Sequence, residues 1–394
     1  MFKRILHPIL EKTVHKFPIT ALTGVRQTGK TTLIKQAFPN FNYFNLEDPD
    51  NLLYIQSDPK AILANNQRLI IDEAQKWPLL FSYLQAHVDQ NPHSNYVLSG
   101  SQNILLQSNI TQSLAGRCAY LELFPLSYQE YCSHPNLKSL SLWEYIYNGT
   151  YPRPYHENLP IKLWYSSYIK TYLERDVRNL LNIRNLSQFQ LFLKFCAARH
   201  GQLLNLTNLS QDTGLSNTQI KEWISLLETS YIIYLLRPFY KNFNKQLVKT
   251  PKLYFYDSAL VCQLLAIDSV QQLQQHFMRG AIFEGFVISE IIKYLQIEQL
   301  EHPSQIYFWR DHSDNEIDLI VEQNNKLFLY EIKSSSTFNT NFLSGLDYFL
   351  QKVTLKEVEE RFLVYTGEQT VPMNTINGSV MLLPWNKLQT KSFY

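Results

Sequence analysis

Apolar positions along the chain follow two periods. Short runs at Ile19–Thr23, Asn42–Glu47, Leu69–Ile71, Asn95–Ser101 and Ala119–Leu123 read as strands. Between them the spacing predicts a helix over Thr32–Phe38 and a polar helix over 50–64, after Pro49 ends the preceding strand. Residues 3–16 form a short amphipathic pattern ahead of the first strand. Strand and helix alternating in this way predict an α/β domain with a parallel sheet.

Beyond this region the pattern changes. Residues 136–185 lack a strand signal. Gly149-Thr150-Tyr151-Pro152-Arg153-Pro154 is a turn-rich break, and Ile161–Leu181 reads as one helix with Trp164, Tyr168, Tyr172 and Val177 along a face. Next come helices at Phe189–Ala198, Leu206–Thr213 and Asn217–Thr229, the last capped by Ser216, and strands at Tyr231–Leu236 and Lys252–Tyr256. This succession predicts a winged helix. A helix over Ala281–Leu295, strands at Glu316–Glu322 and Lys326–Lys333, a helix near 340–352 and a strand at Arg361–Tyr365 close the pattern.

Composition narrows the function classes. The 394 residues carry 36 basic and 34 acidic side chains, a net charge of +2, so charge alone does not announce nucleic acid. Cys118, Cys132, Cys196 and Cys262 contain no C-x-x-C pair, which argues against a zinc ribbon or a disulfide framework and suits a reducing cytoplasm. Glu11, Lys12, His15 and Lys16 interrupt the N-terminal segment as a leader, and no run of 18 apolar residues predicts a membrane span.

The chemistry centres on Gly24-Val25-Arg26-Gln27-Thr28-Gly29-Lys30-Thr31, a G-x-x-x-x-G-K-T loop between a strand and the helix that Thr32 continues. Glycines let the main chain turn its N–H groups inward around phosphate oxygens. Lys30 brings a cation to the β- and γ-phosphates, and Thr31 a hydroxyl to Mg²⁺. Asp72 and Glu73 end an apolar strand, where Asp72 is placed to hold Mg²⁺ and Glu73 to polarise water. The competing reading is a helix cap on Ala74–Trp77. Ser99 or Ser101 is a candidate nucleotide sensor. Arg117, at a strand entrance, is a candidate arginine for the γ-phosphate of its own or a neighbouring subunit, against a plain surface arginine. Arg153 and Arg175 are candidates for a second arginine near the nucleotide, against local ion pairs.

Together GVRQTGKT, LIIDEAQK, YVLSGSQ and SLAGRCAYLELFPLSYQEY resemble the AAA-type P-loop ATPases, in particular a prokaryotic group with a C-terminal domain of unknown function. The resemblance implies ATP with Mg²⁺, a parallel sheet of about five strands with helices on both faces, and, in a homo-oligomeric ring, Arg117 acting in trans. The expected division is an ATPase domain at 1–135, a helical connector at 136–185, a winged helix at 186–272 and a second α/β domain at 273–394.

In that last domain a two-residue loop at Asn324-Asn325 sets a register in which Asp318 faces Glu331, with Lys333 on the same side. Opposed carboxylates repel unless a cation lies between them. The D…E-x-K pattern resembles restriction-endonuclease-like nucleases, and Glu284 matches their helical acid; this implies a second Mg²⁺ site at Glu284, Asp318 and Glu331 with Lys333, against a retired site kept for binding. The second winged-helix helix offers Asn217, Thr218, Gln219 and Lys221 to DNA, with Lys241, Lys245, Lys249 and Lys252 nearby, but also Glu222 and Glu228. Three functions therefore stand: an ATPase controlling a DNA- or protein-binding half, an ATP-gated nuclease, and a slow nucleotide-dependent switch on a protein client.

Overall fold

The computed structural model describes residues 2–100, 114–172, 185–239, 249–298, 304–351, 357–375 and 377–388. Ser101, Arg175, Val177, Lys241 and Lys245 lie outside them.

Helix α1 (His7–Val14) precedes strand β1 (Ile19–Gly24), which runs through the phosphate loop into α2 (Lys30–Ala37). Strand β2 (Asn42–Asn45), helices α3 (Pro49–Ser57) and α4 (Pro59–Asn65), β3 (Arg68–Asp72), α5 (Leu79–Gln90), β4 (Asn95–Ser99) and β5 (Cys118–Leu123) complete the unit. The strands form a parallel sheet in the order β2-β3-β4-β1-β5. Side chains alternate across it. Ile19, Ala21, Leu69, Ile71, Tyr96 and Leu98 pack on one face with Ile55, Ile62, Leu63, Phe81 and Leu84 from α3 to α5. Leu22, Ile70, Val97, Leu121 and Leu123 pack on the other with Leu10, Val14, Leu33 and Ile34 from α1 and α2. Each such large apolar side chain contributes about 1.5–3 kcal/mol on burial. The single polar helix expected over 50–64 is two helices. Pro59 disfavours helical backbone at Asp58, which instead caps α4 by accepting from the Ala61 N–H at 3.0 Å.

Helices α6 (Tyr128–Cys132), α7 (Leu142–Asn148), α8 (Pro152–His156) and α9 (Ile161–Tyr168) follow. The long helix expected from Ile161 is α-helical to Tyr168 and continues as a π turn to Tyr172. Next come α10 (Leu186–Ala198), β6 (Gln202–Leu203), α11 (Leu206–Thr213), α12 (Asn217–Thr229), β7 (Ile233–Pro238) and β8 (Lys252–Phe255). Ser216 and Gln219 form a reciprocal capping box at the start of α12. Helices α13 (Ser258–Leu264), α14 (Val270–Gln275) and α15 (Arg279–Glu298) lead to β9 (Ser304–Arg310), β10 (Glu316–Gln323), β11 (Lys326–Lys333), α16 (Ser344–Leu350), β12 (Val358–Tyr365), β13 (Val371–Thr375) and β14 (Gly378–Pro384).

Asn324 and Asn325 both adopt positive φ, and β10 pairs β11 in the register Leu319↔Tyr330 through Gln323↔Lys326. A bulge between Ile317 and Ile320 shifts β10 against β9. Both faces of the hairpin are apolar: Leu319, Val321, Phe328, Tyr330 and Ile332 enter one core, and Ile317, Ile320, Leu327 and Leu329 another. One mixed sheet, β13-β14-β12-β11-β10-β9-β7-β8-β6, runs across the boundary expected near 272, because β7 pairs β9 in parallel. A single core cluster likewise joins residues from Val25 to Leu388.

Candidate active site

The phosphate loop leaves β1 at Gly24, whose φ is +131° and where a Cβ would lie 2.2 Å from the Leu123 carbonyl oxygen. Only glycine fits that approach. Gln27 (φ 65°) and Gly29 (φ 91°) give the loop its left-handed turns ahead of α2. Lys30 is buried and folded back, donating to the carbonyls of Gly24 (2.9 Å) and Val25 (2.8 Å). Burial draws its ammonium down to about 8, partly opposed by Glu73 and Asp72. Thr28 donates to the Val25 carbonyl at 2.8 Å, closing the loop on itself. Arg26 lies over the Tyr172 ring, 5.5 Å from its centroid.

Asp72, at the tip of β3, collects four donors. Thr31 Oγ1 (2.6 Å) and the Tyr43 hydroxyl (2.8 Å) bond one oxygen; the Ser99 hydroxyl and the Glu73 N–H bond the other. Parallel pairing places Asp72 beside Asn45 and Ile71 beside Leu98, so the acid and Ser99 meet at adjacent strand ends next to the loop. Glu73 sits in the left-handed region (φ 53°) and makes no capping bond to the Ala74–Lys76 turn; Gln75 donates to it instead. Burial raises the Glu73 carboxyl above its ordinary range. Asp72 is thus held among polar donors while the neighbouring Glu73 carboxyl is partly desolvated.

Arg117 stands elsewhere. Strand β5 pairs β1 from Ile19↔Cys118 to Gly24↔Leu123, so Arg117 lies at the edge of the sheet opposite the loop, roughly 17 Å away along the strand. It pairs there with Asp89 of α5, its Nη2 at 3.0 Å. The reading in which Arg117 serves the γ-phosphate of its own chain is therefore corrected. Arg153 of α8 lines the cleft over the loop instead, while pairing with Glu157 at 3.0 Å. That cleft, of about 360 Å³, is bounded by Phe2, Thr28 to Leu33, Pro152, Arg153 and His156.

Several contributors were not apparent in the sequence. Buried Arg4 donates to the carbonyls of Thr28 (2.7 Å) and Phe124 (2.6 Å) and pairs with Glu130 at 3.0 Å, tying the loop to the end of β5. Tyr43, with the Lys35 ammonium 3.6 Å from its ring centroid, braces Asp72. Residue type alone marks neither. Gln75, which donates to Glu73, is a third such contributor.

The carboxylates of the C-terminal half also converge. Glu284, Glu316 and Asp318 bring one oxygen each within 4.8 Å of one another, so Glu316 joins and Glu331 does not. Lys333 lies between Asp318 (3.4 Å) and Glu331, with which it pairs. Lys252 of β8, 3% exposed, bonds Glu284 at 3.1 Å and pairs with Glu316, which Arg310 also holds at 3.2 Å. Burial would lower Lys252, but Glu284, Glu316 and Asp318 outweigh it and hold the ammonium above its ordinary range. Of the acids expected to hold a second Mg²⁺, Glu284 and Asp318 thus lie together with Glu316 in the place of Glu331, and Lys252 serves Glu284 and Glu316.

Among the described residues no helix is long and apolar enough to cross a membrane. An AAA domain model matches residues 16–132, one domain of unknown function (DUF8612) matches 139–271, and another (DUF4143) matches 279–388. Uncharacterized proteins of Mycobacterium tuberculosis and Mycobacterium bovis are each 30% identical over 391 residues, 97% of this chain and 83% of the relative. One from Methanocaldococcus jannaschii is 23% identical over 390 residues, 89% of this chain and 82% of its own. A Walker-type ATPase of Pyrococcus abyssi superposes with a TM-score of 0.45 at 13% identity, over 67% of this chain and 96% of that one. With its phosphate loop, its Asp72 and its matched C-terminal domain, the chain belongs to the family of AAA-type P-loop ATPases that carry a C-terminal domain of unknown function.

Proposed function

We propose that the chain hydrolyses ATP at the Gly24–Thr32 loop and that its nucleotide state controls what the C-terminal half binds. The supporting observation is Asp72 bonded to Thr31 with half-buried Glu73 as its neighbour. Lys30 leaves the Gly24 and Val25 carbonyls for the β- and γ-phosphates, and the loop N–H groups donate to the remaining phosphate oxygens. Thr31 and Asp72 are the residues that would hold Mg²⁺, which neutralises phosphate charge when bound. Glu73 orients water and takes its proton, Ser99 reports on the nucleotide through Asp72, and Arg153 approaches the phosphates across the cleft. Arg117 of a neighbouring copy is the remaining route to an arginine in trans.

Control runs through Thr23, the residue before Gly24. Its Oγ1 lies 3.5 Å from the Tyr231 hydroxyl, which donates to Glu122 of β5; Gln296 of α15 donates to the same carboxylate. Tyr231 sits directly between α12 and β7, so the phosphate-loop strand and the winged-helix-like segment share one polar contact. The exposed face of α12 carries Asn217, Thr218, Gln219 and Lys221, a set suited to DNA, and Glu222, which suits a protein client better.

Two measurements test the reading. Amide exchange at 231–238 should differ between ATP and ADP in Glu73→Gln; identical protection would remove the control. Several-fold stimulation of turnover by single- or double-stranded DNA would assign the client to nucleic acid, and indifference would assign it to protein.

A further inference from the structure

The two lysines of the C-terminal cluster do different jobs. Lys333 comes from the same hairpin as the acids it bridges, Asp318 and Glu331. Lys252 comes from β8, separated from β10 by β9 and β7 in the one mixed sheet, and reaches Glu284 of α15 and Glu316 of β10. The ammonium itself is buried, 3% exposed, while Glu284 and Glu316 are half-buried. Phe308 and Tyr254 present ring faces to the ammonium, 5.6 and 6.0 Å from the centroids. The Tyr254 hydroxyl donates to Glu284, and the Ile332 N–H donates to Asp318 Oδ2 at 2.7 Å. The trio of carboxylates with metal-ligand spacing is thus the trio whose oxygens already face a buried cation and main-chain or tyrosine donors. A catalytic metal site keeps open positions for water and substrate. This one spends its acids on the protein.

We propose that the cluster is an internal ion-pair lock, in which Lys252 of β8 takes the place of a divalent cation among Glu284, Glu316 and Asp318 and fastens β8 to α15 and β10. The chain then carries no metal-dependent nuclease activity from this site. Breaking the lock has an asymmetric consequence, because removing the ammonium takes the lysine from Glu284 while Arg310 still holds Glu316 and Lys333 still holds Asp318. A divalent ion is the natural replacement, since the carboxylate spacing already suits one.

The test uses the full chain without nucleotide, so it is independent of whether the phosphate loop hydrolyses ATP. Free Mn²⁺ is counted by electron paramagnetic resonance in titrations of the wild type, Asp318→Asn, Lys252→Met and the double variant. The lock predicts equal Mn²⁺ binding by the wild type and Asp318→Asn, and one additional Mn²⁺ per chain in Lys252→Met that the double variant loses. A Mn²⁺ site in the wild type that Asp318→Asn abolishes overturns it, as does a folded Lys252→Met that gains none. If Lys252→Met does not fold in buffer, recovery of its cooperative thermal transition with Mn²⁺ supports the lock. Absence of recovery leaves the decision to the wild-type and Asp318→Asn pair, where equality sustains the proposal and loss overturns it.

Discussion

Two of the buried lysines that sit near acids, Lys30 and Lys252, are held in opposite ways. Lys30 rests on two neutral carbonyls, Gly24 and Val25, with Asp72 and Glu73 close enough to matter but bonded to other groups. Lys252 is bonded to carboxylates directly. The first ammonium is destabilised by burial and drawn down to about 8; the second is held above its ordinary range by the acids around it. A lysine parked on carbonyls gives up only weak partners when a phosphate arrives. A lysine caged by carboxylates gives up charge-assisted bonds and strands the acids. The difference separates a site built to receive an anion from one already satisfied.

Substitutions can break this comparison, and they fall in order of size. Glu73→Gln should retain nucleotide binding and lower kcat by about 10²- to 10⁴-fold, the range for loss of a general base; a smaller drop in single-turnover assays would move the base elsewhere. Lys252→Met should destabilise the C-terminal half by about 3–5 kcal/mol in urea unfolding without Mn²⁺, as expected when one partner of a buried pair is lost. A change under about 1 kcal/mol would mean that the pair is not the fastening described.

The pH response sharpens the picture of the same core. His200 is fully buried, its Nδ1 accepts from the Phe255 N–H at 3.1 Å, and burial draws it down to about 3. Unfolded, it takes up a proton near pH 6.5. The unfolded state therefore binds the proton first, so this contribution is complete above about pH 6.5. It is lost at up to about 1.4 kcal/mol per unit as pH falls towards 3. The urea midpoint should fall between pH 7 and 5, with a slope shallower by one proton in His200→Gln; an unchanged slope would show that His200 is not the group titrating.

Tyr231→Phe is the smallest intervention. It removes the hydroxyl that joins Thr23 and Glu122, at a cost of about 1 kcal/mol. Its larger expected effect is to erase the difference in exchange between ATP and ADP states at 231–238. A full difference in this variant would mean that another path couples the halves.

The fold was legible where local rules act alone. The glycine loop, the strand ending in Asp72 and Glu73, the capping box at Ser216 and the Asn324-Asn325 turn each need a few adjacent residues, and each fixed its element. The strand register even followed from the turn. What escaped depends on distant partners. Arg117 stands at a strand entrance, but only the pairing of β5 with β1 reveals that this is the end away from the loop. Arg4 joins the loop through carbonyls of Thr28 and Phe124 that no motif records. Lys252 looked like one more basic residue of a wing loop. Its role emerged from the sheet that carries β8 to the acids of α15 and β10.

The central claim is that the Gly24–Thr32 loop turns over ATP. Steady-state phosphate release by the full chain in Mg²⁺ and ATP, measured beside Lys30→Ala, tests it most directly. The account predicts turnover in the wild type and a loss of at least about 100-fold in Lys30→Ala, as removal of a main charge stabiliser of the transferred phosphate requires. Equal turnover by the two proteins would contradict it.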